Sequence, residues 1–245
     1  MHRYQKMVRC CLLAGLLLSG GWALGQTVLV DFGNDSSFRG VSVTNPDANG
    51  RYWNSVFSGA FYANMVDTAN AATTIDLGFD AAPASDSFNG PAGATSVPPT
   101  PSELASTAFD AAALGALGAT NAVFDYYVDA RFQLQGLDIN RTYTLTFFGS
   151  HKFSTDDATT YSLCTDNTYG TVLLSTNLNI QFPGQPWRHN SNTVAVVSNV
   201  VPQAGGVIYV KFNGANGNAG YLNALRIDVE KTTPTLGVRA SQDVV

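Results

Sequence analysis

Charge is scarce in this sequence. Charged residues occupy 13% of its 245 positions, against about 25% in an ordinary soluble domain. Only four lysines occur: Lys6, Lys152, Lys211 and Lys231. With a formal charge of −5 there is no basic surface to neutralise a phosphate backbone, which excludes a nucleic-acid partner. The motifs of several common catalytic centres are also missing. The chain has no Gly-x-Ser-x-Gly elbow, no His-Glu-x-x-His, no Cys-x-x-Cys and no phosphate loop.

Long hydrophobic runs are lacking as well. The strongly apolar stretch Cys11–Leu18 is interrupted by Ser19-Gly20-Gly21, and a membrane span needs about 20 apolar residues. His2, Arg3, Lys6 and Arg9 precede it, and Ala23-Leu24-Gly25 follows with a small-x-small pattern. A basic start, a short apolar core and a small-residue exit make a secretory signal peptide over residues 1–25, cleaved near Gln26. The expected product is therefore secreted, extracellular or periplasmic, with no membrane span. Cleavage removes three cations and no acid, so the formal charge falls from −5 to −8. It also removes Cys10 and Cys11, leaving Cys164 without an intramolecular disulfide partner. Cys164 reads as a strand residue, since no base lies near it in sequence.

Glycine, proline and aromatic residues are plentiful, with 23 Gly, 10 Pro, 14 Phe, 10 Tyr and 3 Trp. This is not a disordered chain. Apolar residues recur with period two. Val28–Phe32 opens the exported chain as a strand. From Val128 to Leu134, Val128, Ala130, Phe132 and Leu134 share one face, while Asp129, Arg131 and Gln133 share the other. Tyr143, Leu145 and Phe147 point inward, as do Ile208, Val210 and Phe212, and later Leu225, Ile227 and Val229. Turn-forming clusters separate these runs: Gly136-Leu137-Asp138, Pro183–Pro186, Pro202–Gly206 and Asn213–Asn218. One helical stretch, Glu103–Leu117, has Ser102 as its N-cap. The predicted fold is all-β, an antiparallel, jelly-roll-like β-sandwich with one short helix. It forms a single domain over 26–230, followed by a flexible tail over 231–245, and the first and last strands pair.

Three polar loops are candidate sites. Gly149–Asp157 follows the strongest strand and carries His151 and Lys152. Its Asp156 and Asp157 suit a hard cation such as a structural Ca2+, or else simply satisfy their own turn. Trp187, Arg188 and His189 sit in a Gly/Pro-bounded loop, and Arg51 and Trp53 repeat the composition. An aromatic face beside planar donors suits a sugar ring and its hydroxyls; the alternative is that each Trp covers an end of the core. The exported chain has only two His (His151, His189) and two Glu (Glu103, Glu230). Sixteen Asp remain, and no local pattern singles out a catalytic pair of carboxylates. Asn223 shares a strand face with Leu225 and reads as a buried hydrogen-bonding residue.

Several segments together resemble secreted bacterial β-sandwich modules of the galactose-binding-like and malectin-like kind. They are Val30-Asp31-Phe32-Gly33, Asp86–Pro91, Phe124–Tyr127, Tyr143–His151 and Gly220–Ile227. Such modules occur alone, ahead of sorting signals or beside GDSL-type esterases. The resemblance covers most of residues 28–229 through strand patterns, and it implies a non-catalytic binding module. The expected partner is a polysaccharide or glycan, held through end loops by Arg51, Trp53, His151, Lys152, Trp187, Arg188 and His189. Cationic side chains in an acidic chain add an acidic sugar such as a uronate to that expectation. Two rivals are an adhesive surface protein that packs on its own copies, and a polysaccharide lyase or esterase with His151 or His189 as base.

Overall fold

The computed structural model describes residues 25–33, 42–57, 60–81, 83–86, 121–123, 125–151, 156–182, 185–190 and 192–230, with backbone alone at 85–86, 121 and 181–188. Residues 1–24 of the signal peptide expected over 1–25, the helix expected over Glu103–Leu117, the tail expected over 231–245, Lys152 and Pro183-Gly184 lie outside the described residues.

The chain is all-β. Five strands form one sheet: β1 (Thr27–Phe32), β2 (Asn54–Val56), β8 (Tyr143–Phe148), β13 (Ala195–Val200) and β16 (Ala224–Val229), in the order β13-β8-β16-β1-β2. Six form the second: β3 (Phe61–Tyr62), β4 (Asp76–Phe79), β7 (Arg131–Gln135), β9 (Ala158–Cys164), β10 (Val172–Asn179) and β14 (Ile208–Gly214), ordered β10-β9-β14-β7-β4-β3. Pairing is antiparallel throughout except between β1 and β2. As the strand pattern predicts, the first and last described strands pair, with Val28 opposite Ile227 and Val30 opposite Leu225. Two smaller elements complete the set. These are the ribbon β11 (Gln181–Phe182) with β12 (Gln185–His189), and a small sheet of β5 (Ala84–Asp86), β6 (Tyr126–Val128) and β15 (Tyr221–Leu222). The described helical turns are two short 3₁₀ segments, Asn121–Val123 and Ala215–Gly217.

The two large sheets bury a common core. Val28, Val30, Phe32, Leu145, Phe147, Leu225 and Ile227 come from the first, and Leu77, Phe132, Leu134, Tyr161, Val210 and Phe212 from the second. Phe147 stacks on Tyr161 with centroids 4.5 Å apart, and Phe32 meets Phe132 at 5.9 Å. The inward residues are those the period-two pattern selects. One strand differs from its sequence reading. Val128–Leu134 is broken at Asp129, which takes a left-handed conformation (φ 41°) and sends β6 and β7 into different sheets. Asp129 tolerates this better than a branched residue. Its Oδ1 accepts hydrogen bonds from the Gly220 N–H at 2.7 Å and the Gly214 N–H at 3.2 Å, which pins the corner.

Candidate functional site

The outer face of the five-stranded sheet is covered at one end. Leu29, Phe148 and Ala224 pack there against Val43, Trp53, Ala122 and Val123. Trp53 is 1% exposed. Its backbone is held by Asn45, whose Oδ1 accepts from the Trp53 N–H at 2.7 Å while its Nδ2 donates to the Trp53 carbonyl at 2.9 Å. The indole Nε1 donates to Asp47 at 3.0 Å. Arg51 faces the same carboxylate at 3.9 Å. Burial works against the Asp47 charge, but bonds from Trp53, Arg51 and Asn49 hold its carboxyl below the usual range. Trp53 is therefore a core residue with no open ring face for a sugar. The expectation that it forms a binding platform is corrected by its burial, and Arg51 closes the same loop.

At the end of the sandwich the other two polar loops do come together. Asn190 donates from Nδ2 to the Gly149 carbonyl at 3.1 Å, and Ser150 Oγ donates to the Asn190 carbonyl at 2.8 Å. The His151 ring stacks on Tyr221 at 4.6 Å and meets Tyr126 edge-on at 4.8 Å. Burial pushes the His151 pKa down to about 4, with His189 pushing the same way and Asp156 opposing. The Tyr221 hydroxyl donates to Asp156 Oδ2 at 2.6 Å, and the Asp157 carbonyl accepts from the Ile180 N–H at 3.0 Å. Tyr126 and Tyr221 are themselves buried, so this is a packed cluster and not an open platform. Among the described residues, no group of three or more His, Cys, Asp or Glu side chains comes together to hold a metal. Trp187 and Arg188 lie on β12, and their side chains, like Lys152, lie outside the described set. Asn223 is buried as expected: its Nδ2 donates to the Asp125 carbonyl at 2.8 Å and its Oδ1 accepts from the Ser150 N–H at 2.7 Å. Cys164 is buried at the end of β9, and burial pushes its thiol up, away from nucleophilic character.

The outer face of the six-stranded sheet is different. Register places Phe61, Gly78, Gln133, Tyr209 and Cys164 in one row across five strands. Arg131, Lys211 and Ser162 form the adjacent row. Phe61 is 54% exposed, Arg131 is exposed, and Gln133, Tyr209 and Lys211 are half-buried. Gly78 lies between Phe61 and Gln133, and a β-carbon there would make only ordinary contact with both. Beside these rows a cleft of about 500 Å³ is lined by Asp80, Pro83, Val128, Asp129 and Arg131. A second hollow of about 290 Å³ shares Asp129–Arg131 and adds Lys211 and Asn213. Beneath them, Tyr169 receives the Lys211 Nζ on its carbonyl at 2.7 Å and the Arg131 guanidinium over its ring at 5.7 Å. The Tyr169 ring meets Tyr209 edge-on at 6.0 Å.

No family model matches the chain. No curated protein matches it significantly. Among solved structures, the arabinose-bound α-L-arabinofuranosidase MgGH51 aligns with 44% of this chain and 20% of its own, at 18% identity and a TM-score of 0.26. That likeness is too slight to inform fold or function. The sandwich agrees with the fold implied by the resemblance to galactose-binding-like modules.

The sequence reading missed this face. Alternation puts Arg131 and Gln133 on the side away from the core, but the residues that join them, Phe61, Tyr209 and Lys211, are distant in sequence and are brought beside them only by strand register.

Proposed function

We propose that this chain is a secreted, non-catalytic carbohydrate-binding module whose ligand, a polysaccharide chain, lies along the outer face of the six-stranded sheet. The observation that carries the reading is the open row Phe61–Gln133–Tyr209 beside a cleft large enough for a sugar unit. Ring faces suit the apolar side of a pyranose, and amides and carboxylates suit its hydroxyls. Small-ligand sites are concave and combine apolar walls with a few convergent polar groups. The covered face of the other sheet offers no such surface at Trp53. Affinity electrophoresis over a panel of neutral and acidic polysaccharides tests the reading. Retardation by at least one polymer, weakened about tenfold or more in Tyr209→Ala, is expected. No retardation by any polymer overturns it.

A second reading has its own observation. β10 lies at the edge of its sheet, and Val172, Leu173 and Leu174 are 44%, 49% and 47% exposed. A long apolar edge strand is a template for pairing with another chain, which favours the adhesive or self-assembling alternative. Concentration-dependent association abolished by Leu173→Lys, with no glycan affinity, is the result that would select it. The enzyme alternative draws on the charge influence of Asp156 and His189 on His151, but burial lowers the His151 pKa and makes that imidazole a weak base.

A further inference from the structure

Arg131 and Lys211 stand directly opposite each other on β7 and β14. Like charges in that position repel and destabilise a sheet. Elsewhere in the described residues Arg51, Arg141 and Arg226 each face a carboxylate. Neither Arg131 nor Lys211 has one within ion-pair distance among the described residues. The nearby acids are otherwise engaged or set apart. Asp129 Oδ1 is taken by two backbone N–H groups, Asp166 is taken by Thr165 and Thr168, and the charge of Asp80 acts on Tyr169. The two cations are also fixed in place rather than splayed into water, because Tyr169 anchors one by its carbonyl and the other by its ring. Each side chain lines the hollow at the mouth of the cleft.

We infer that Arg131 and Lys211 form an anion subsite of this face, which takes the single negative charge of an acidic sugar, a uronate carboxylate or a sulfate ester. This rests on the reading of the face as glycan-binding. The guanidinium offers a planar fork to two oxygens of the anion, and the ammonium adds a point charge beside it. Asp80 and Asp129 border the same cleft and suit the sugar's hydroxyl donors. Their charges disfavour a polyanionic group such as a phosphate, which leaves a singly charged substituent.

The test is affinity electrophoresis and calorimetry on the exported chain with polygalacturonate, alginate, carrageenan and a neutral galactan. Arg131→Gln and Lys211→Gln are compared with the wild type at low and at raised salt. Expected is binding to at least one acidic polymer about tenfold or more tighter than to the galactan, reduced about tenfold in each variant and weakened by salt. Uronate polymers and carrageenan, as separate arms, distinguish carboxylate from sulfate. A second readout does not depend on polymer fit: sodium galacturonate or sodium methyl sulfate raises the melting temperature of the wild type and not of Arg131→Gln. Equal affinity for neutral and acidic polymers, unchanged in both variants, overturns the anion subsite while leaving the glycan-binding reading intact. Absence of binding to every polymer overturns that reading, and a wild-type melting temperature indifferent to both anions then overturns the subsite as well.

Discussion

The two sheets share one core but turn their outer faces to different surroundings. On the five-stranded sheet, Leu29, Asp31, Phe148 and Ala224 point outward and are nonetheless buried beneath Val43, Trp53 and Val123. Apart from the buried Asp31, its outward charges are matched: Arg226 Nε lies 2.7 Å from Asp228 Oδ2, and Thr27 donates to Asp228 Oδ1 at 2.6 Å. On the six-stranded sheet the outward residues of β3, β7 and β14 named above are polar and aromatic and at least partly exposed, and two cations face each other without a carboxylate partner among the described residues. The covered face is built for stability. The other face keeps a like-charge pair that costs stability, as expected of the binding surface proposed above.

That contrast is breakable by mutation. The largest effect is expected from Trp53→Ala, which removes a buried indole and frees its share of Asp47. It should cost about 3–5 kcal/mol in urea unfolding, and a cost under about 1 kcal/mol would mean that Trp53 is not a core residue. Asn223→Ala, which strands the Asp125 carbonyl and the Ser150 N–H, should cost about 1–3 kcal/mol.

Asp31 sharpens the comparison with the opposite sign. Burial, with the neighbouring Asp125 carboxylate adding to it, raises its pKa well above the ordinary value, while the Val43 N–H bond partly compensates. The Asp125 carboxyl sits over Gly33 so closely that any β-carbon there would overlap it. A carboxyl with a raised folded pKa binds its proton more tightly folded than unfolded, so stability falls as pH rises from about 4 through the folded pKa. Asp31→Asn keeps an acceptor for Val43 and removes the charge. It should stabilise the protein by about 1–3 kcal/mol at neutral pH and flatten that slope; a loss of stability at pH 7 would contradict the assignment.

His151 runs the other way. Its folded pKa of about 4 lies below the unfolded 6.5, chiefly through burial, so its contribution is present above pH 6.5 and is lost as pH falls toward 4. The loss is on the order of 2–3 kcal/mol and should vanish in His151→Asn. The smallest effect belongs to the open face. Phe61→Ala should change stability by no more than about 0.5 kcal/mol while weakening polysaccharide retardation. A large loss of stability would show that Phe61 is structural.

Much of this was readable beforehand. Inward residues of β7, β8, β14 and β16 follow from alternation, and continuous apolar runs such as Val28-Leu29-Val30 mark the strand that is covered on both sides. The pairing of β1 with β16, the burial of Asn223 and the strand placement of Cys164 agree with the sequence reading. The break at Asp129 was not readable, since its alternation is unbroken and only contacts with Gly214 and Gly220, distant in sequence, hold the kink. Trp53 misled because composition does not distinguish an indole that covers a core from one that stacks on a sugar.

By itself the sequence determined which residues of each strand leave water, because side-chain direction has period two and burial of apolar surface selects one face. What only the tertiary structure decided is which of the remaining residues become neighbours. Arg131 and Lys211 are brought opposite each other by the register of two strands distant in the chain, and that register is set by packing across the whole sheet.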